Sequence, residues 1–256
     1  MIISIKLQAR SIDSRTSRVH VLNRIVSKTS SAVVEQSTSM NGITPQQRAG
    51  NYLREQILSG RFPIGMRLKS EEIAQTLGFS RMPVRDALRQ LHSEGLVSIR
   101  PNRGAIVAML TGDEIQELFE IRASLESLAA RHGCANLTEE KLSELETLLE
   151  RMKLATGDIQ SWIDLHETFH EVFAEAAQRG RLHEYIRNVR RAVLPYVRAY
   201  IEAYSHQEMP NAGHDILISI ARRRNPRLME EAMRDHILVA AEGVAHFLRE
   251  LGPRKN

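Results

Sequence analysis

From Thr44 onward, apolar residues recur at the three- and four-residue spacing of amphipathic helices, and the pattern breaks only at a few punctuated points. Thr44-Pro45 predicts a capped helix start, with Tyr52, Leu53, Ile57 and Leu58 on its apolar face and Gly60 closing it. Ser70-Glu71-Glu72 opens a second helix, in which Ile73, Ala74 and Leu77 face inward before a tight turn at Gly78. A third begins at Ser80, read as its N-cap, with Pro83 in the first turn and Val84, Ala87, Leu88 and Leu91 sharing one side. Gly95 ends it, and Leu96–Ile99 and Ala105–Val107 read as short strands around Pro101–Gly104. Beyond Thr111 every segment has helical period, at about 112–133, 138–155, 159–178, 180–206, 211–223 and 225–250. The predicted class is mainly α, with an antiparallel six-helix bundle behind a helical module and a β hairpin. Pro195 falls inside the fourth bundle helix, where it predicts a kink.

The polar side of the third helix changes what the front module is for. Arg81, Arg85 and Arg89 climb it at i, i+4 and i+8, where a helix in a major groove needs forked donors for phosphates and guanine edges. An amphipathic helix with a solvated arginine face fits the same spacing. The hairpin and the preceding helices favour a winged helix-turn-helix over residues 44–109. Charge agrees: residues 1–110 hold 16 Lys+Arg against 7 Asp+Glu, a net of +9, and residues 111–256 hold 19 against 24, a net of −5. The candidate DNA contacts are Lys69, Ser80, Arg81, Met82 and Arg85, with Arg103 and Gly104 at the wing tip.

Two further bounds come from composition. Cys134 is the only cysteine, which excludes an internal disulfide and suits a reducing cytoplasm. No apolar run approaches the ~18 residues of a membrane span. Residues 1–43 are rich in serine, threonine and arginine without periodicity, and read either as a disordered basic tail or as sequence upstream of a start at Met40.

The back half carries its chemistry in histidines. His166 and His170 lie four apart on one helix, His214 opens the next helix but one, and His236 lies in the last. Neutral imidazoles converging from three helices can hold a divalent transition metal. Taken singly, a histidine of this kind is more often a surface or satisfied core residue than a ligand. His166-Glu167-Thr168-Phe169-His170 is also a literal H-E-x-x-H, which raises a zinc metallopeptidase with Glu167 as general base. No metzincin-type third ligand follows it.

The front module resembles the GntR family of bacterial transcription regulators through Ile57-Leu58-Ser59-Gly60, Ser80 to Leu88, Glu94-Gly95-Leu96-Val97 and Arg103-Gly104. Met82 departs from the small hydroxyl residue usual there, and Ile64 from the usual proline. The back half, from Glu114 to Phe247, is similar to the FCD effector domain of the FadR branch, of the six-helix VanR-like type. The carriers are Leu118 to Arg122 with Leu125-Glu126, Phe169-His170, Gly213 to Leu217 and Ala232 to His236.

The resemblance implies a metal held by one aspartate and three histidines. Here the histidines are His170, His214 and His236, and His166 occupies the aspartate position. That exchange removes a negative charge and favours Zn²⁺, with Ni²⁺ the alternative, over Mn²⁺ or Mg²⁺. The resemblance also implies a small carboxylate effector. Arg122 is its candidate anchor, against a plain i, i+4 ion pair with Glu126, and Tyr196 and Arg198 are weaker candidates. The expected whole is a cytoplasmic homodimeric repressor on a pseudo-palindromic operator, with an architectural DNA-binding dimer lacking any effector as a further alternative.

Overall fold

A computed structural model describes residues 43–100, 104–155, 157–204, 211 and 213–251. The reading of residues 1–42 as a tail, and the wing-tip role of Arg103, lie outside the described residues.

The order is α1 (Pro45–Leu58), β1 (Arg67–Leu68), α2 (Ser70–Leu77), α3 (Arg81–Ser93), β2 (Val97–Arg100), β3 (Gly104–Val107), then α4 (Gly112–Gly133), α5 (Glu139–Leu154), α6 (Ile159–Ala176), α7 (Gly180–Tyr204), α8 (His214–Arg222) and α9 (Pro226–Leu251). Strand order is β1-β3-β2, all antiparallel, with Ser98 opposite Ile106 and Arg67 opposite Ile106 on the other side. Strand β1 is absent from the sequence pattern. At two residues it is too short to show a period of two.

Both lobes open on reciprocal caps. Thr44 Oγ1 accepts from the amide of Gln47 at 3.2 Å while the Gln47 side chain accepts from the Thr44 amide at 2.8 Å. Thr111 and Glu114 repeat the arrangement at the head of α4. One expected cap holds in position but not in bonding. Ser80 occupies the N-cap of α3 with extended backbone, but its side chain makes no capping bond. The N-cap of α2 is Lys69, and Ser70 is already helical.

Leu53, Ile57, Val84, Ala87, Leu91, Leu96 and Val107 close the core of the winged helix. The bundle core gathers Ile115, Phe119, Leu142, Leu145, Met152, Trp162, Phe169, Phe173, Met229, Met233 and Ile237 from α4, α5, α6 and α9, with Leu217, Ile218 and Ala221 from α8 and Val193, Tyr196 and Ile201 from α7. Burying each such side chain contributes about 1.5–3 kcal/mol. The observed helices match the predicted spans except that α8 starts at His214 rather than near 211. Gly213, at φ 88°, cannot be helical there. None of the helices is long and apolar enough to cross a membrane among the described residues.

Candidate functional site

Helix α6 stacks His166 above His170 on one face because residues four apart nearly eclipse. Gly213 turns the chain so that His214 begins α8 pointing back toward them, and His236 arrives from α9. A side chain at 213 would place its Cβ 3.1 Å from His236 Nδ1, so the turn and the close approach both require glycine. One ligand atom from each histidine falls within 4.8 Å of all the others. Ring centroids lie 4.6 Å apart for His166 and His170, 5.2 Å for His170 and His236, and 4.4 Å for His214 and His236. The four predicted histidines therefore come together.

Their hydrogen bonds sort the ring nitrogens. His170 Nδ1 lies 3.1 Å from Glu126 Oε2; a carboxylate only accepts, so Nδ1 carries the proton. His214 Nδ1 donates to the Asn211 carbonyl at 3.1 Å. Both Nε2 atoms then carry lone pairs, and both are buried without any partner. Leaving a buried polar atom unsatisfied costs about 1–3 kcal/mol, and here two belong to the same cage. Twice a zinc–nitrogen bond is about 4.1 Å, so small ring rotations bring such a cage onto an ion.

Electrostatics keep the four imidazoles neutral. Burial, then the charges of His170, His214, Arg122 and His236, hold His166 well below its usual range. Burial also lowers His236 strongly, and it takes His214 down to about 3 with help from His170 and Arg122. Burial lowers His170 too, although Glu126 opposes it. Glu126 is itself buried, which would raise its carboxyl, but Arg122 and Arg190 hold it well below the usual carboxylate range.

That carboxylate is what sequence reasoning missed as a support for the cage. Arg122 Nε donates to Glu126 Oε1 at 2.6 Å, and Arg190 grips both oxygens, Nε to Oε1 at 2.9 Å and Nη2 to Oε2 at 2.7 Å. The i, i+4 spacing of Arg122 and Glu126 predicts a plain ion pair but not its burial; both are buried, at 4% and 2% exposure. Arg190 lies 64 residues from Glu126 and left no local signal. Trp162 is also new to the site: its ring stacks on His166 at 4.8 Å and its Nε1 donates to Asn211 Oδ1 at 2.9 Å. The acids adjoining the histidines in sequence play a smaller part. Asp215 and Asp235 are exposed, and Glu167 stands 3.9 Å from His166 Nδ1.

Tyr196 and Arg198 require a correction. The Tyr196 hydroxyl and Arg198 Nε bond backbone of the winged helix and the linker, and none of these bonds reaches the cage. The Tyr196 hydroxyl donates to the Ala108 carbonyl at 2.9 Å and accepts from the Leu110 amide at 3.2 Å. Arg198 Nε donates to the Leu58 carbonyl at 2.9 Å and its Nη2 to Gln160. Pro195, expected to mark a kink, is buried within a helix that runs on to Tyr204.

In the front lobe, Arg81, Met82, Arg85 and Arg89 are exposed on one side of α3, opposite the buried Val84, Ala87, Leu88 and Leu91. Met82 is 56% exposed, a large apolar group held out into solvent. Lys69, Ser80 and Gly104 are exposed as well. Arg81 pairs with Glu71, Lys69 with Glu72 at 2.6 Å and Arg89 with Asp86 at 3.1 Å.

Two family models match this chain: bacterial regulatory proteins of the gntR family over residues 45–107, and the FCD domain over residues 117–238. The HTH-type transcriptional repressor RspR of Escherichia coli (strain K12) is 26% identical over 216 residues, which span 83% of this chain and 95% of that protein. An uncharacterized HTH-type transcriptional regulator of Agrobacterium vitis is 34% identical over 130 residues, 49% of this chain and 76% of that protein. The solved structure of E. coli McbR/YncC has the same fold, with a TM-score of 0.64 at 23% identity over 80% of this chain and 98% of that one. Such proteins are transcriptional regulators and not enzymes, so the H-E-x-x-H spacing on α6 does not mark a peptidase. With a winged helix in front and a helical lobe behind, the chain belongs to the GntR family of bacterial transcription regulators and carries an FCD domain.

Proposed function

We propose that this regulator is a cytoplasmic homodimeric repressor that responds to a small organic acid bound beside a divalent metal in its helical lobe. The observation that carries the reading is the pair of buried, partnerless Nε2 atoms of His170 and His214 inside a four-histidine cage. His166, His170, His214 and His236 would hold the ion, with Glu126 orienting His170 from behind. Four neutral nitrogen donors suit Zn²⁺, with Ni²⁺ the alternative. The ion would supply a Lewis-acidic charge on which an effector carboxylate can settle. Arg122 is the chain's own cation next to the cage, its charge reaching all four histidines.

Two copies would present their α3 helices to successive major grooves of a pseudo-palindromic operator. Lys69, Ser80, Arg81, Met82 and Arg85 would face the DNA, with Arg103 and Gly104 at the wing. A repressor relative supports the direction of control. Effector binding would act by favouring one placement of the two winged helices over the other.

The test is metal analysis of protein purified without an affinity-tag metal. Close to one equivalent of zinc or nickel per chain is expected, lost in the His170→Ala/His214→Ala double variant while the winged helix stays folded. A metal-free wild type that also fails to take up added Zn²⁺ or Ni²⁺ overturns the metal reading. A thermal-shift screen of small carboxylates on the loaded protein then finds the effector, because a ligand of the folded state raises its melting temperature.

A further inference from the structure

Helix α7 holds both the support of the histidine cage and the underside of the winged helix. Near its middle, Arg190 grips both oxygens of Glu126, the carboxylate to which His170 donates. Beyond it, Ala192 faces the turn that follows α3, since a Cβ on Gly95 would sit 3.7 Å from the Ala192 methyl. Tyr196 then holds the linker through the Ala108 carbonyl and the Leu110 amide. Arg198 reaches the last carbonyl of α1 at Leu58, passing so close under Gly60 that a Cβ there would lie 2.8 Å from its Cδ. Arg190, Tyr196 and Arg198 are all buried, at 3%, 1% and 5% exposure.

We propose that α7 is the element through which the cage acts on the DNA-binding lobe, with Tyr196 and Arg198 as its positioning residues and Arg190 as its contact with Glu126. This rests on the metal reading above. An ion on His170 Nε2 fixes the ring and sharpens its Nδ1–H bond to Glu126. Glu126 cannot shift without moving Arg190, because inside the bundle no water replaces a lost ion-pair partner. Arg190 belongs to α7, and both clamps lie within about 12 Å of it along the helix axis. Between Arg190 and the clamps stands Pro195, which lacks the N–H of one helical hydrogen bond and leaves the helix a place to bend. The clamps themselves are directional hydrogen bonds to backbone at α1 and at the linker, so a small bend changes where the winged helix is held.

The test measures coupling, not stability. The Kd of the full-length protein for a labelled 30-base-pair duplex, enriched from a random pool by the wild type, is determined metal-free and with saturating Zn²⁺. For the wild type, zinc is expected to change Kd by about fivefold or more. In Tyr196→Phe, which deletes one hydroxyl, and in Arg198→Gln, that ratio is expected to fall below about twofold, with zinc affinity by chelator competition and the circular dichroism spectrum unchanged. Zinc binding with an undiminished ratio in both variants overturns the coupling and leaves the metal reading standing. So does zinc that binds the wild type without changing its duplex Kd. A wild type that does not bind zinc overturns both. Independently of any variant, hydrogen exchange at residues 58–60 and at Leu110 is expected to differ between metal-free and zinc-loaded wild type, and identical protection overturns the proposal.

Discussion

His170 Nδ1 lies 3.1 Å from Glu126 Oε2, inside a protein region from which water is excluded on both sides. The contact fixes the tautomer and leaves Nε2 as the free donor atom. Glu126→Gln keeps the shape but presents a weaker acceptor, strands the charge of Arg122 and leaves Arg190 with Glu171 as its carboxylate partner. Zinc affinity, read by competition with a chromophoric chelator, is expected to fall roughly 10–100-fold. The urea midpoint should fall as well, since breaking a buried ion network by removing one partner costs about 3–5 kcal/mol.

His166 is the residue that makes the cage all-nitrogen. His166→Asp puts a harder, charged oxygen in its place. Relative affinity is expected to move toward Mn²⁺ and away from Ni²⁺. Competitive binding of the two ions to both proteins measures it, and an unchanged preference would show that residue 166 does not touch the metal.

Gly213→Ala combines a backbone at φ 88° with a Cβ 3.1 Å from His236 Nδ1. A loss of about 1–3 kcal/mol in stability is expected, together with weaker metal binding because His236 must move. Trp162, the only tryptophan, stacks on His166 and reports the site directly. Its emission should be quenched by Ni²⁺ in the wild type and less so, at higher concentrations, in the variant.

The metal-free protein should be acid-sensitive earlier than its carboxylates alone would dictate. His214 is held at about 3 in the folded chain against an ordinary 6.5, so between those values the unfolded chain binds a proton that the folded chain refuses. Stability therefore rises with pH across that window and is lost as pH falls from 6.5 toward about 3. Burial drives His166 and His236 in the same direction. Urea midpoints of metal-free protein at pH 7 and pH 5 test this. Equal midpoints would mean the imidazoles are not buried in neutral form.

Arg85 stands exposed on α3 with no acidic partner among the described residues, so its removal disturbs no other contact. Arg85→Ala is expected to weaken binding of an enriched duplex by about 1–3 kcal/mol at fixed salt. Fluorescence anisotropy checks it, and unaltered affinity would remove Arg85 from the interface.

Local chemistry made much of this readable from sequence. Thr44-Pro45, the Leu88 and Leu91 stripe and the glycine turns each act within a few residues, so the winged helix could be traced by spacing alone. The histidines were legible because an i, i+4 pair on one helix is itself a local signal. Glu126 and Arg190 were not legible as a unit: they meet across 64 residues, and only burial turns an ordinary ion pair into a support for His170. Tyr196 and Arg198 were placed with the effector for the same reason. Nothing near them in sequence says that their partners are backbone atoms of Ala108, Leu110 and Leu58.

On the exposed face of the winged helix, Arg81 rests against Glu71, Lys69 against Glu72 and Arg89 against Asp86. A free chain thus meets nucleic acid with part of its positive charge already spoken for. Each cation that swings onto a phosphate leaves a carboxylate behind, facing a polyanion, and a poor fit cannot compensate for that repulsion. With α3 as the proposed reading helix, the acids would act as a filter on encounters. They weaken the grip on random sequence more than on a site where every donor finds its acceptor, and so shorten the time the protein spends on DNA that it has no reason to read.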